Sequence, residues 1–153
     1  MSLKVGDPAP DFALTDQLGA VIRLADLRGR RVVVYFYPKA DTPGCTTQAC
    51  SLRDARPELD AAGATVIGIS PDKPAAQARF DTKYSLGFPL LSDSDHAVAE
   101  AYGAWGERSM YGKKYMGIIR SAFVIDEEGR IAEALYKVSP KDTVPKAMQA
   151  LSG

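Results

Sequence analysis

Two cysteines and a single histidine, Cys45, Cys50 and His96, are the soft ligands and strongest nucleophiles of this 153-residue sequence. They lack the usual spacing of a zinc site, so no metal is expected and thiol chemistry fits them better. Position singles out Cys45. It follows a run of β-branched and aromatic residues, 32–37, that reads as a fully buried strand, and then a turn-rich segment, 39–44. Thr42 suits a helix N-cap, Pro43 the first helical position, and Cys45 falls at about the third. A sulfur placed there lies beside unpaired backbone N–H groups and the positive end of the helix dipole, which favour thiolate over thiol. A cysteine that merely fills a core has no need of that placement.

Cys50 follows five positions later, which is not the spacing of a C-x-x-C redox pair. On an intact helix that separation means about 500° of rotation and a rise of about 7.5 Å. A disulfide needs Cα atoms within about 6.8 Å. The two can therefore join only if the helix locally unwinds, which suits a transient bond better than a structural staple. In such a cycle Cys45 is oxidised to a sulfenic acid and Cys50 condenses with it, sparing it from irreversible over-oxidation. On spacing alone Cys50 also reads as an ordinary residue on a helix face.

The elements around this pair set the fold class. Segments 11–14 and 21–24 suggest an N-terminal hairpin or paired extended segments, and 32–37 the central strand. A second helical piece starts or kinks at Pro57 and ends near Gly63, 65–70 is another buried strand, and Pro74–Tyr84 an amphipathic helix. Residues 88–91 suggest a short edge strand, 95–102 a helix, and 105–117 a long loop with some functional role. Strands 121–125 and 131–137 flank a five-residue connection, and a helix over 140–151 closes the chain. A βαβ unit followed by a hairpin and a terminal helix is the order of a thioredoxin-like α/β fold. It is extended here at its N-terminus and has a central mixed sheet flanked by helices. Reactive groups in such sheets collect at the carboxyl ends of the strands, where Pro38 to Cys45 lies.

Length predicts a single domain over residues 1–153 with a core large enough to need no disulfide. With 19 basic and 19 acidic residues and no block of like charge, neither nucleic acid nor a membrane surface is an expected partner. The chain shows no 18-residue apolar run and no signal-peptide core at its start, which predicts a cytoplasmic protein with reduced thiols. His96 reads as a surface or capping residue, and Lys39 and Arg53 as solvated charges. Residues 106–113 imitate a phosphate-cradling loop, but Lys114 stands where Ser or Thr is required, so no nucleotide cofactor is expected.

Pro38, Thr42 and Cys45, within YPKADTPGCT, match the P-x-x-x-T-x-x-C signature of peroxiredoxins. The second cysteine five residues on resembles the bacterioferritin comigratory protein, or PrxQ, subfamily. The resemblance extends through GDPAPDF, VIGISPD, LLSD, WGE and GIIRSAFVID, nearly the whole chain. It implies a thiol peroxidase, without cofactor, that reduces hydrogen peroxide and organic hydroperoxides. By position it makes Cys45 the peroxidatic cysteine and Cys50 the resolving one. Thr42 would contact the peroxide, Pro38 shield the pocket, and Arg120 hold thiolate and peroxide oxygen. Thioredoxin or a similar dithiol would recycle a monomeric enzyme.

Elementary kinetics shows why such an arginine is needed. A thiol whose pKa drops from about 8.5 to about 6 gains roughly 30-fold in thiolate at pH 7. It loses roughly 10-fold in intrinsic nucleophilicity over the same shift. Most of the acceleration must come from donors aimed at charge developing on the peroxide oxygens. Two other functions compete with a peroxidase. General disulfide exchange is disfavoured by the missing C-x-x-C and by Ile119 and Arg120 where a thioredoxin places a cis-proline. A peroxide-sensing or chaperone-like binding protein would show little turnover.

Overall fold

The computed structural model describes residues 2–152; Met1 and Gly153, the two ends of the expected domain, lie outside the described residues. An N-terminal hairpin of β1 (Ala13–Thr15) and β2 (Val21–Arg23) leads through a 3₁₀ turn (Leu24–Leu27) into β3 (Arg31–Phe36). Next come α1 (Pro43–Asp54), α2 (Arg56–Ala61), β4 (Ala64–Ser70), α3 (Pro74–Tyr84), β5 (Leu90–Ser92) and α4 (Ala97–Ala101). The chain ends with β6 (Trp105–Met110), β7 (Lys113–Ile118), β8 (Ser121–Ile125), β9 (Ile131–Leu135) and α5 (Thr143–Ser152).

β3 lies inside a seven-stranded mixed sheet of order β2-β1-β5-β4-β3-β8-β9. It pairs parallel to β4 and antiparallel to β8, and β5 is parallel to β4. Its alternation feeds two cores. Val33, Tyr35 and Tyr37 join α1, α2, α3 and α5 on one face; Val32, Val34 and Phe36 join α4, Phe12, Leu24 and Tyr102 on the other. Burial on both faces explains why β3 reads as a continuous apolar run. Each fully buried side chain of this size contributes about 1.5–3 kcal/mol. No described helix is long and apolar enough to cross a membrane.

The architecture is the mixed α/β thioredoxin-like one, with two differences in detail. β5 is not an edge strand, because β1 returns to pair with it through Thr15 and Ser92. Residues 105–117 are not a loop but most of the β6–β7 hairpin, turning at Tyr111 and Gly112, both with positive φ (52° and 77°). Two such residues make the two-residue turn that matches strand twist, a signal hidden by the polar, glycine-containing strands on either side.

The register of β3 and β8 matters most for the site. Phe36 pairs with Ser121, so the residue before β8, Arg120, arrives at the carboxyl end of β3, where the chain leaves for α1.

Candidate active site

α1 begins as its sequence suggests. Thr42 is the extended N-cap residue (φ −93°, ψ 158°), Pro43 starts the helix, and the Thr46 N–H donates to the Thr42 carbonyl at 2.8 Å. The Thr42 hydroxyl, however, does not cap the helix. It donates to the Lys39 carbonyl at 2.8 Å, closing the loop on itself. The first-turn N–H groups of Gly44 and Cys45 have no acceptor within the helix, and Cys45 is 1 % exposed.

The loop before the helix is fixed at two points. The Ala40 N–H donates to Asp72 Oδ2 at 2.7 Å, and the same carboxylate oxygen accepts the Ser70 hydroxyl at 2.7 Å. Asp41, at φ 62°, accepts from Lys83 Nζ and the Tyr84 hydroxyl, each at 2.9 Å. The Lys83 ammonium, followed by the Tyr84 hydroxyl, holds the Asp41 carboxyl below its ordinary value. Pro38 is half-buried in this loop, just past β3.

Arg120 reaches the cysteine from the other side. Its Nη2 lies 3.4 Å from Cys45 Sγ, and its Nη1 donates to Gln48 Oε1 at 2.7 Å. The Gln48 side chain is fully buried and uses its Nε2 to donate to Thr143 Oγ1 at 2.9 Å; that hydroxyl donates to the Ser139 carbonyl at 3.0 Å. The Arg120 carbonyl accepts from the Val138 N–H at 3.0 Å, so backbone and side chain are both held. Gly44 makes room for the guanidinium: a Cβ there would stand 3.0 Å from Arg120 Nη2. Beyond Arg120 a cavity of about 350 Å³ opens between Arg108 on β6 and Lys137 and Val138 after β9.

Cys45 and Arg120 thus meet past the carboxyl end of β3, with Thr42 at the start of the same helix, while Cys50 stays apart. α1 runs unbroken through both cysteines, which are free thiols, and Cys50 is half-buried against the core. His96 lies elsewhere, stacked on Trp105 with centroids 3.7 Å apart and paired to Glu100 at 3.0 Å.

Residues 5–134 match the model of the AhpC/TSA family. The chain is 57 % identical to peroxiredoxin Bcp of Escherichia coli K12 over 129 residues, 84 % of this chain and 83 % of that protein. The chain belongs to the AhpC/TSA peroxiredoxins. Two solved structures agree with this peroxiredoxin's fold. A Xanthomonas campestris bacterioferritin comigratory protein, described for its alkyl peroxide reduction activity, superposes with a TM-score of 0.89 at 35 % identity, covering 98 % of this chain and 96 % of its own. A cysteine-to-serine variant of PrxQ from Xylella fastidiosa gives 0.92 at 30 % identity, covering 99 % and 97 %. Membership of this family makes the protein a thiol-dependent peroxidase.

Three residues of this candidate site escape sequence reasoning. Gln48 and Thr143 orient Arg120 from within the core, and Gly44 matters through what it leaves empty. Arg53, which reads as a solvated charge, instead donates through Nη1 to the Tyr84 carbonyl at 2.6 Å.

Proposed function

We propose that this peroxiredoxin reduces hydrogen peroxide and organic hydroperoxides at Cys45, with Cys50 as resolving cysteine and a thioredoxin-like dithiol as reductant. The observation that carries this reading is the 3.4 Å approach of Arg120 Nη2 to Cys45 Sγ at a helix start. A guanidinium there stabilises negative charge on sulfur and can follow that charge onto the departing oxygen. Because the Thr42 hydroxyl spends its proton on Lys39, its free lone pairs can accept the O–H of a hydroperoxide and aim the distal oxygen at sulfur.

The thiolate attacks that oxygen, an S–O bond forms, the O–O bond breaks, and the leaving alkoxide or hydroxide takes a proton. Cys45 is oxidised to a sulfenic acid and the peroxide is reduced to alcohol or water. The Cys50 thiol then condenses with the sulfenic acid, releasing water and forming a disulfide, which an external dithiol reduces by exchange. The cavity beside Arg120, near the lower end of ligand-pocket size, offers room for the organic part of a hydroperoxide. The Xanthomonas relative's alkyl peroxide activity supports the same substrate class. Pro38, in the loop before the helix, shields the pocket. Since both cysteines lie in one chain, the cycle runs in a monomer, and it belongs in a reducing compartment such as the cytoplasm.

The test is peroxide-dependent NADPH consumption with thioredoxin and thioredoxin reductase. Native protein is expected to turn over, Cys45→Ser to be inactive, and Cys50→Ser to react once without recycling. Peroxide-driven binding of a partner with negligible turnover would instead mark a sensor.

A further inference from the structure

We infer that Tyr84 is a positioning residue for the resolving step, holding both ends of the helix that must open before Cys45 and Cys50 can join. The inference rests on the reading of Cys50 as resolving cysteine.

Tyr84 is the last residue of α3, and its two polar groups point to opposite ends of α1. Its hydroxyl donates to Asp41, two residues before the helix begins, at 2.9 Å. Its carbonyl accepts from Arg53, in the last turn of the helix, at 2.6 Å. The residue is itself well anchored. Its ring packs edge-on against Phe80 at 5.7 Å, Phe80 packs against Tyr37 at 6.1 Å, and the turn after α3 is closed by the Leu86 N–H on the Asp81 carbonyl. Lys83, its neighbour, adds a second donor to Asp41. Asp41 accepts these bonds from a left-handed backbone that a non-glycine residue adopts at a cost.

While both attachments hold, α1 keeps its length and the cysteines keep their helical separation, beyond the reach of a disulfide. Resolution therefore requires local opening at one end, and its rate scales with the open fraction. The closed helix keeps Cys45 against Arg120, ready for peroxide. For as long as it stays closed after oxidation, the sulfenic acid remains open to a second peroxide, which adds another oxygen and leaves an irreversible sulfinic acid. Tyr84 thus sets the partition between resolution and over-oxidation without touching the reacting atoms.

The test uses the full-length reduced protein and Tyr84→Phe, which deletes the hydroxyl but keeps the ring on Phe80 and the carbonyl for Arg53. Asp41→Asn, compatible with the same backbone, weakens the attachment from the other side. Hydrogen exchange of α1 amides is expected to rise about 3- to 10-fold in either variant, the worth of one such hydrogen bond. Disulfide formation after a peroxide pulse is expected to accelerate by a similar factor, and the sulfinic acid accumulated per turnover to fall. The first oxidation, measured in a Cys50→Ser background, is expected to keep its rate. Unchanged α1 exchange and disulfide rate in both variants overturns the inference, as does a first-step loss that accounts for every other change. If native protein forms no Cys45–Cys50 disulfide at all, the resolving reading fails and takes this inference with it.

Discussion

Arg120 and Cys45 are 75 residues apart in sequence, yet the guanidinium Nη2 sits 3.4 Å from the thiol sulfur. The contact is produced by sheet register rather than by local sequence, because Phe36 pairs with Ser121 and so delivers Arg120 to the end of β3. Gln48 then fixes the guanidinium plane at 2.7 Å, leaving the second nitrogen beside the sulfur.

Removing that charge tests how the rate is divided. Arg120→Met is expected to lower the second-order rate with peroxide by about 100-fold or more, the usual cost of one donor aimed at developing charge. The thiolate fraction, followed through the pH dependence of alkylation, is expected to explain only a small part. A loss wholly matched by the thiolate fraction sinks the idea of transition-state stabilisation by Arg120.

Gly44→Ala separates stability from activity. Alanine favours a helix interior over glycine by about 1 kcal/mol and, at the second residue of α1, by no more than that, so unfolding is expected to show no loss of stability. The added Cβ would stand 3.0 Å from Arg120 Nη2 and push the guanidinium off the sulfur, so peroxidase activity is expected to fall at least several-fold. Unaltered activity would show that the guanidinium can shift freely.

Tyr35 and Tyr37 give a matched pair in the core. The Tyr35 hydroxyl is buried without a hydrogen-bond partner among the described residues, and burial pushes its phenol well above the ordinary range. The Tyr37 hydroxyl donates to Gln77. Tyr35→Phe is expected to be neutral or to stabilise by up to about 1 kcal/mol, and Tyr37→Phe to destabilise by about 1 kcal/mol or more. Urea unfolding of both variants checks the order; equal losses would contradict it.

The Asp41 carboxyl is held below its ordinary value by Lys83 and the Tyr84 hydroxyl. A carboxyl with a depressed folded pKa contributes stability that is present above the unfolded value of about 3.9 and disappears as pH falls through the folded one. Protection of α1 amides is therefore expected to decline on acidification below about pH 4, and Asp41→Asn to show a smaller decline. The same decline in both proteins would assign it to other carboxyls.

The structure also shows which parts of the site a sequence can carry. β3, β4 and β8 are legible because burial on both faces leaves continuous apolar runs, and α3 because Pro74 marks its start. Thr42, Pro43 and Cys45 are legible as a helix start, since those signals are local. The β6–β7 hairpin is not, because Glu107, Arg108, Lys113 and Lys114 give it no apolar alternation. Nor does sequence place β5 inside the sheet, since that depends on β1 returning from far upstream. Gln48 looks like any polar helix residue until its partners, 72 and 95 residues away, are folded against it. The Thr42 hydroxyl turns toward Lys39 for a reason that lies in loop geometry, not in residue type.

The most direct measurement is the intact mass and peptide map of the reduced protein after one equivalent of hydrogen peroxide, with no reductant present. The account predicts a loss of about 2 Da with Cys45 linked to Cys50, and in Cys50→Ser a gain of about 16 Da on Cys45. Oxidation at residues other than Cys45, or a native protein that stays a stable sulfenic acid while Cys50 remains a free thiol, would contradict it.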